Sequence, residues 1–187
     1  MKLNEKLVEM ASVEHDLNYF MFLLYEMVRE QAAACNHRPF TAVELGVRHG
    51  NSTVAILAGL ARVECQMAGW LHSCDIEPCR PAHEAVREAG LLRWWIFEQK
   101  DSITFAESLS WCDFVFVDTS HEAKQTKAEL AVWTPKVSIG GRIVLHDTCS
   151  RPGGVGAPFA EFLAANLNWT GYNIDVNCGL GVARKVY

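Results

Sequence analysis

Four acidic side chains close short apolar runs: Glu44 after Phe40-Thr41-Ala42-Val43, Asp75 after Met67–Cys74, Asp118 after Phe114-Val115-Phe116-Val117, and Asp147 just beyond Arg142-Ile143-Val144-Leu145. If these runs are strands of an open α/β sheet, each acid lies at a carboxyl end, where such sheets collect their ligands. Asp75 stands where a ribose-binding domain needs a carboxylate that accepts hydrogen bonds from ribose hydroxyls. Asp118 and Asp147 end the last two of these runs, which would be neighbours in such a sheet. Two carboxylates so placed can share a hard divalent cation such as Mg²⁺, completed by water and substrate oxygens. A cation there lowers the pKa of a bound hydroxyl, so an oxygen nucleophile forms near neutral pH. The plainer alternative is that each acid caps the next helix and that His121 lies in that helix's first turn.

The element that positions the first of these acids is the stretch Phe40–Leu57, a strand, a turn with Gly46 and Gly50, and a helix beginning near Ser52-Thr53, expected to cap it. Glycines let the backbone approach a ligand closely, and the first helical N–H groups favour a carboxylate or phosphate. The spacing is not the dinucleotide fingerprint, since its third glycine is missing, which disfavours a dehydrogenase. Upstream, residues 3–34 read as helical, with Ser12 as a cap and Leu17, Phe20, Met21, Leu24, Met27 and Val28 at helical spacing. That surface packs on the sheet, covers a pocket or offers a homodimer contact. Asn36-His37-Arg38-Pro39 breaks it.

Downstream the pattern gives a helix at 81–89, a third strand within 91–99 and the strand 114–117, buried on both faces. A helix at 122–133, the strand 142–145, a Gly/Pro-rich loop at 150–158 and a helix at 159–166 follow. Strands near 172–176 and 181–186 are joined by Asn177-Cys178-Gly179. Alternating strands and helices closed by a hairpin predict an open, mostly parallel sheet with one antiparallel strand. A single domain is expected over 1–187, a helical extension (1–36) before a core (40–187).

Glu44-Leu45-Gly46 with Gly50 and Ser52 resembles the first motif of class I S-adenosylmethionine (SAM)-dependent methyltransferases, specifically small O-methyltransferases related to catechol O-methyltransferase. Asp75-Ile76-Glu77-Pro78 resembles the ribose motif of the same family. Asp118-Thr119-Ser120-His121 with the later His146-Asp147 resembles a bacterial group that includes antibiotic-sugar O-methyltransferases and cephalosporin-hydroxylase-like proteins. The resemblance covers about Phe40 to the end. It implies a Rossmann-like, seven-stranded sheet whose last strand inserts beside the fifth. It also implies that Gly46, Gly50 and Ser52 hold the methionine end of SAM, with Glu44 near its amino group. Asp75 takes the ribose, Asp101 and Ser102 the adenine, and Asp118 borders the cofactor as well as the metal. Asp118 and Asp147 carry metal ligands in the family, and the catechol enzymes follow the second with Asn, where this chain has Thr148, a weaker neutral ligand. A histidine at position 121 acts there as general base, a task suited to an imidazole pKa of about 6.5. His146, one residue before Asp147, is expected by strand alternation to point elsewhere.

Composition narrows the partners. With 187 residues, half of them apolar, the chain can bury a substantial core. A net charge of −5 without a Lys/Arg run argues against nucleic acid. The seven cysteines are odd in number, scattered and form no CxxC pair, which excludes a zinc knuckle of that type and suits a reducing cytoplasm. No secretory signal or membrane span is expected. The expectation is a cytoplasmic, Mg²⁺-assisted SAM-dependent O-methyltransferase of a small-molecule acceptor. A metal-independent methyltransferase and a non-catalytic SAM-binding module acting through a protein partner are the alternatives.

Overall fold

Alternation between buried runs and amphipathic segments produces two compact units, residues 1–100 and 101–187. The computed structural model describes residues 3–35, 38–63 and 69–187. Asn36 and His37, expected to break the first helix, lie outside the described residues, as do Met67 and Ala68 of the expected second strand.

In the first unit the expected long helix is two, α1 (Leu3–Ser12) and α2 (Met21–Ala34). Between them, His15 accepts the Leu17 N–H at Nδ1 and lies 3.0 Å from the Met10 carbonyl through Nε2. Leu17 and Phe20 are buried but sit in this connection rather than in a helix, and Ser12 ends α1 instead of capping α2. Next come β1 (Phe40–Leu45), α3 (Asn51–Ala61), β2 (Gly69–Asp75), α4 (Arg80–Glu88) and β3 (Trp95–Gln99). The strands run parallel in the order β3-β2-β1, with Glu44 opposite Ser73 and Asp75 opposite Gln99. Helix α3 is buried from Ser52 to Leu60, so its apolar character is nearly uniform. Helix α2 packs on it at Gly59, where a Cβ would lie 2.5 Å from the Tyr25 carbonyl oxygen. Only glycine permits that approach.

The second unit contains α5 (Ser102–Phe105), β4 (Cys112–Val117), α6 (Ala123–Trp133), β5 (Val137–His146), α7 (Ala157–Ala165), β6 (Trp169–Ile174) and β7 (Leu180–Lys185). β4 and β5 are parallel, and β7 lies antiparallel between β5 and β6. The expected Gly/Pro loop holds a π-helical turn at Pro152–Gly156 that leads directly into α7. Seven strands form the mixed, Rossmann-like sheet with a C-terminal antiparallel hairpin that the sequence predicts.

Candidate active site

In the first unit, β1 delivers Glu44 into the interior, where it is 0% exposed. A buried carboxylate without partners would cost several kcal/mol, so its environment must supply donors. Ser52 Oγ donates to Oε1 at 2.6 Å, Ser73 Oγ to Oε2 at 2.7 Å, and the Thr53 hydroxyl spans both oxygens at 3.0 and 2.9 Å. Trp95 Nε1 donates in turn to Ser73 Oγ at 2.9 Å. Ser52 and Thr53 therefore do not cap α3, whose N-cap is Gly50 in the left-handed conformation, φ 85°. They tie the helix to the strand through Glu44. The Ser52 hydroxyl points inward, which leaves a ligand carboxylate to the N–H groups of the first turn of α3.

Asp75 ends β2 half-exposed. Its Oδ2 accepts the N–H groups of Val47 and Arg48 at 2.8 and 3.1 Å, and its Oδ1 accepts that of Glu77 at 2.9 Å. Burial opposes its charge, but these N–H donors outweigh it and hold the carboxyl below the usual range. Each carboxylate oxygen can take two hydrogen bonds, so Oδ2 is filled by Val47 and Arg48, and the remaining position on Oδ1 is one that the Cys79 thiol, also hydrogen-bonded to Asp75, contests with a ribose hydroxyl.

In the second unit, Asp101 is the N-cap of α5, accepting from the Ile103 and Thr104 N–H groups at 3.1 and 2.9 Å. Ser102 is buried and donates to Glu129 Oε1 at 2.6 Å. Glu129, fully buried on α6, also accepts from Thr119 Oγ1 at 2.9 Å and Gln125 Nε2 at 3.1 Å. Burial pushes its pKa up. Both predicted adenine residues thus have structural partners. Glu129 was not singled out from the sequence, although Trp133 four residues on marks its helix face as buried.

Asp118, His121 and Asp147 come together as the spacing predicts. His121 Nε2 lies 3.0 Å from Asp118 Oδ1 and 3.0 Å from Asp147 Oδ2. His146 joins them, with Nδ1 3.5 Å from the same two oxygens. The alternation that should have turned it away ends with the strand: Asp147 has φ 65°, so its side chain no longer opposes that of His146. His121 has φ 56° and precedes α6 rather than lying in its first turn. Left-handed backbone at non-glycine residues costs roughly 1–3 kcal/mol and gathers at functional sites. The π-helical turn backs the cluster. A Cβ on Gly154 would lie 1.9 Å from the His121 carbonyl oxygen, and one on Gly156 2.4 Å from that of Thr148.

The charges are strongly coupled. Hydrogen bonds to Asp118 and Asp147 raise His121 to about 9. Burial works against a charged His146, but the same carboxylates outweigh it and raise that ring to about 10. Burial likewise opposes ionisation of Asp118 and Asp147, yet the imidazoles, and for Asp147 also the Ser150 hydroxyl, hold both below the ordinary carboxylate range. Candidate ligand atoms of Asp118, His121 and Asp147 lie within 4.8 Å of one another. This donor set fits a divalent cation. Thr148, the expected neutral ligand, instead donates its hydroxyl to Asn173 Oδ1 at 2.6 Å.

The strand ends that carry these acids are where open α/β sheets collect their ligands. The chain belongs to the family described as methyltransferase domain, whose model matches residues 43–148. It is similar to the O-methyltransferase TomG from Streptomyces achromogenes, involved in tomaymycin synthesis and solved with SAM, at 16% identity over 98% of this chain and 90% of that one, TM-score 0.77. An O-methyltransferase from Bacillus cereus solved with S-adenosylhomocysteine (SAH) aligns at 16% identity, 98% and 90% coverage and TM-score 0.76. The SAH-bound methyltransferase PaMTH1 from Podospora anserina aligns at 15% identity, 99% and 88% coverage and TM-score 0.74. At these identities the likeness carries the fold. No curated protein matches the chain.

Proposed function

We propose that this protein is a SAM-dependent O-methyltransferase acting on the hydroxyl of a small molecule, assisted by Mg²⁺ or another hard divalent cation. The observation that carries this reading is the convergence of Asp118, His121 and Asp147 within a methyltransferase-domain chain. SAM-bound and SAH-bound O-methyltransferases of the same fold support the donor and the reaction type.

Asp75 would accept a ribose hydroxyl at Oδ1, and the N–H groups beyond Gly50 would take the methionine carboxylate. Glu44 would hold that turn in shape, and Asp101 and Ser102 would border the adenine through backbone groups. Asp118 and Asp147 would hold the cation, with Thr148 adjacent. When bound, SAM supplies an electrophilic methyl on a sulfonium, and a divalent cation supplies a lowered hydroxyl pKa. The chain's own contribution is position and proton handling. His121 Nε2 accepts the acceptor's proton as its oxygen aligns with the carbon–sulfur bond. Asp118 and Asp147 would hold the cation, and its charge there would offset the carboxylate field that keeps a proton on His121, so that the ring could serve as a base near neutral pH.

The His121–Asp118 contact also supports a second reading, a metal-independent enzyme in which this pair moves the proton unaided. The acidic balance argues against nucleic acid as acceptor, and the cysteine pattern supports a cytoplasmic setting. No described helix is long and apolar enough to cross a membrane. The α2 surface, with Phe22 49% exposed, supports a homodimer.

The test is calorimetric titration of SAH with chelator and with Mg²⁺, followed by methyl transfer to a panel of hydroxylated acceptors. SAH binding with Mg²⁺-stimulated transfer is expected. Transfer indifferent to chelator would move the assignment to the metal-independent enzyme. SAH binding without transfer to any acceptor would indicate a binding module.

A further inference from the structure

Asp147 belongs to two groups of metal-ligating atoms. The first is the Asp118–His121–Asp147 set; the second joins it to His146 and Cys178, whose ligand atoms also lie within 4.8 Å of one another. The methyl-transfer reading makes no use of Cys178. We propose that His146, Asp147 and Cys178 form a second metal site, selective for a borderline cation of the Zn²⁺ class over Mg²⁺, and sharing Asp147 with the first.

Three observations carry it. The donors are an imidazole, a carboxylate and a thiol, a combination that suits Zn²⁺, whereas Mg²⁺ demands oxygen ligands and keeps its waters. The site is built by the backbone: the Cys178 carbonyl accepts the N–H groups of both Cys149 and Ser150, at 2.9 and 3.0 Å. Gly179, with φ 84°, presses the hairpin loop so closely that a Cβ would lie 2.5 Å from the Thr148 hydroxyl and from the nitrogen and sulfur of Cys149. Two of the three donors come from buried residues, His146 at 1% and Asp147 at 6% exposure, so they are fixed before a metal arrives. Zinc bonds of about 2.0–2.3 Å need donor separations of roughly 3.3–3.8 Å, and rotation of the half-buried Cys178 side chain is what would close the spacing to the two fixed donors. Binding displaces the thiol proton to solvent, leaving the thiolate as ligand. Water or a substrate oxygen would complete a tetrahedron.

Co²⁺ serves as the spectroscopic probe for Zn²⁺ in the intact chain. The expected result is a near-ultraviolet thiolate-to-cobalt charge-transfer band that Zn²⁺ abolishes and excess Mg²⁺ does not. Cys178→Ser removes the band and weakens Co²⁺ binding at least about tenfold. Cys149→Ser, altering the exposed neighbouring thiol, retains both. A wild-type protein that binds Co²⁺ without the band, or a band lost in Cys149→Ser but kept in Cys178→Ser, overturns the site. SAH titration on the same samples keeps the two readings apart: SAH binding without the band refutes this site alone, and the band without SAH binding refutes the methyltransferase assignment alone.

Discussion

Glu44 in the first unit and the Asp118–Asp147 pair in the second are all acids at or just beyond strand ends, yet their partners differ in kind. Glu44 is sealed, its oxygens met by the hydroxyls of Ser52, Thr53 and Ser73. Neutral donors cannot change charge, so that network holds one state and fixes the turn between β1 and α3. Asp118 and Asp147 are met by two imidazoles, with the Asp118 and His121 side chains each 26% exposed. Titratable partners at an open site can be exchanged for a cation or a substrate proton. Neutral donors around a sealed carboxylate make architecture, and titratable donors around carboxylates partly open to solvent at Asp118 and His121 make chemistry.

The largest effect that would break this contrast is expected from Asp118→Ala: a loss of methyl transfer of about 10³-fold or more, with SAH affinity changed less than about threefold. Equal loss of both would mean that Asp118 serves the cofactor rather than the cation. Glu44→Ala should do the reverse, lowering stability by about 3 kcal/mol or more in denaturant unfolding as three buried hydroxyls lose their acceptor. A mild effect there would make Glu44 a ligand contact instead of a keystone.

A Cβ at position 154 must displace the His121 carbonyl. Gly154→Ala should therefore reduce kcat about tenfold or more while SAH binding persists. The pH dependence sharpens the contrast further. His121 and His146 are raised from 6.5 to about 9 and about 10 in the metal-free protein. Their stabilisation is fully present below 6.5 and is lost as pH rises through those values. Asp147, held low, contributes above the ordinary carboxylate pKa and loses its contribution as acid protonates it. The melting temperature of the metal-free protein should thus fall on the alkaline side, and a saturating divalent cation, which competes with those protons, should flatten that fall. The smallest effect is expected from Gly59→Ala, about 1–3 kcal/mol from the close approach of α2 and α3, with chemistry untouched.

Strand ends were the most legible part of this sequence because apolar runs followed by acids survive any uncertainty about helices. Asp75, Asp118 and Asp147 are placed at strand ends that way, whereas His121 enters through the resemblance carried by Asp118-Thr119-Ser120-His121. His146 was misjudged because alternation applies only while the backbone stays extended, and the left-handed step at Asp147 is a local event that residue types do not announce. The break between α1 and α2 was hidden because Leu17 and Phe20 keep helical spacing while packing from a connection. Glu129 was missed because a glutamate inside a helix usually faces water. Here the face bearing Trp133 carries it inward, where Ser102, Thr119 and Gln125 supply its donors.

The left-handed backbone at His121 and Asp147 has a consequence for engineering. Glycine or asparagine would occupy either position with less strain. In a library selected for thermal resistance at alkaline pH, where the stabilisation from the charged imidazoles is lost, those replacements should be enriched and the cluster discarded without harming the fold. Sequences retaining both His121 and Asp147 after such a selection would show that something other than folding had been selected.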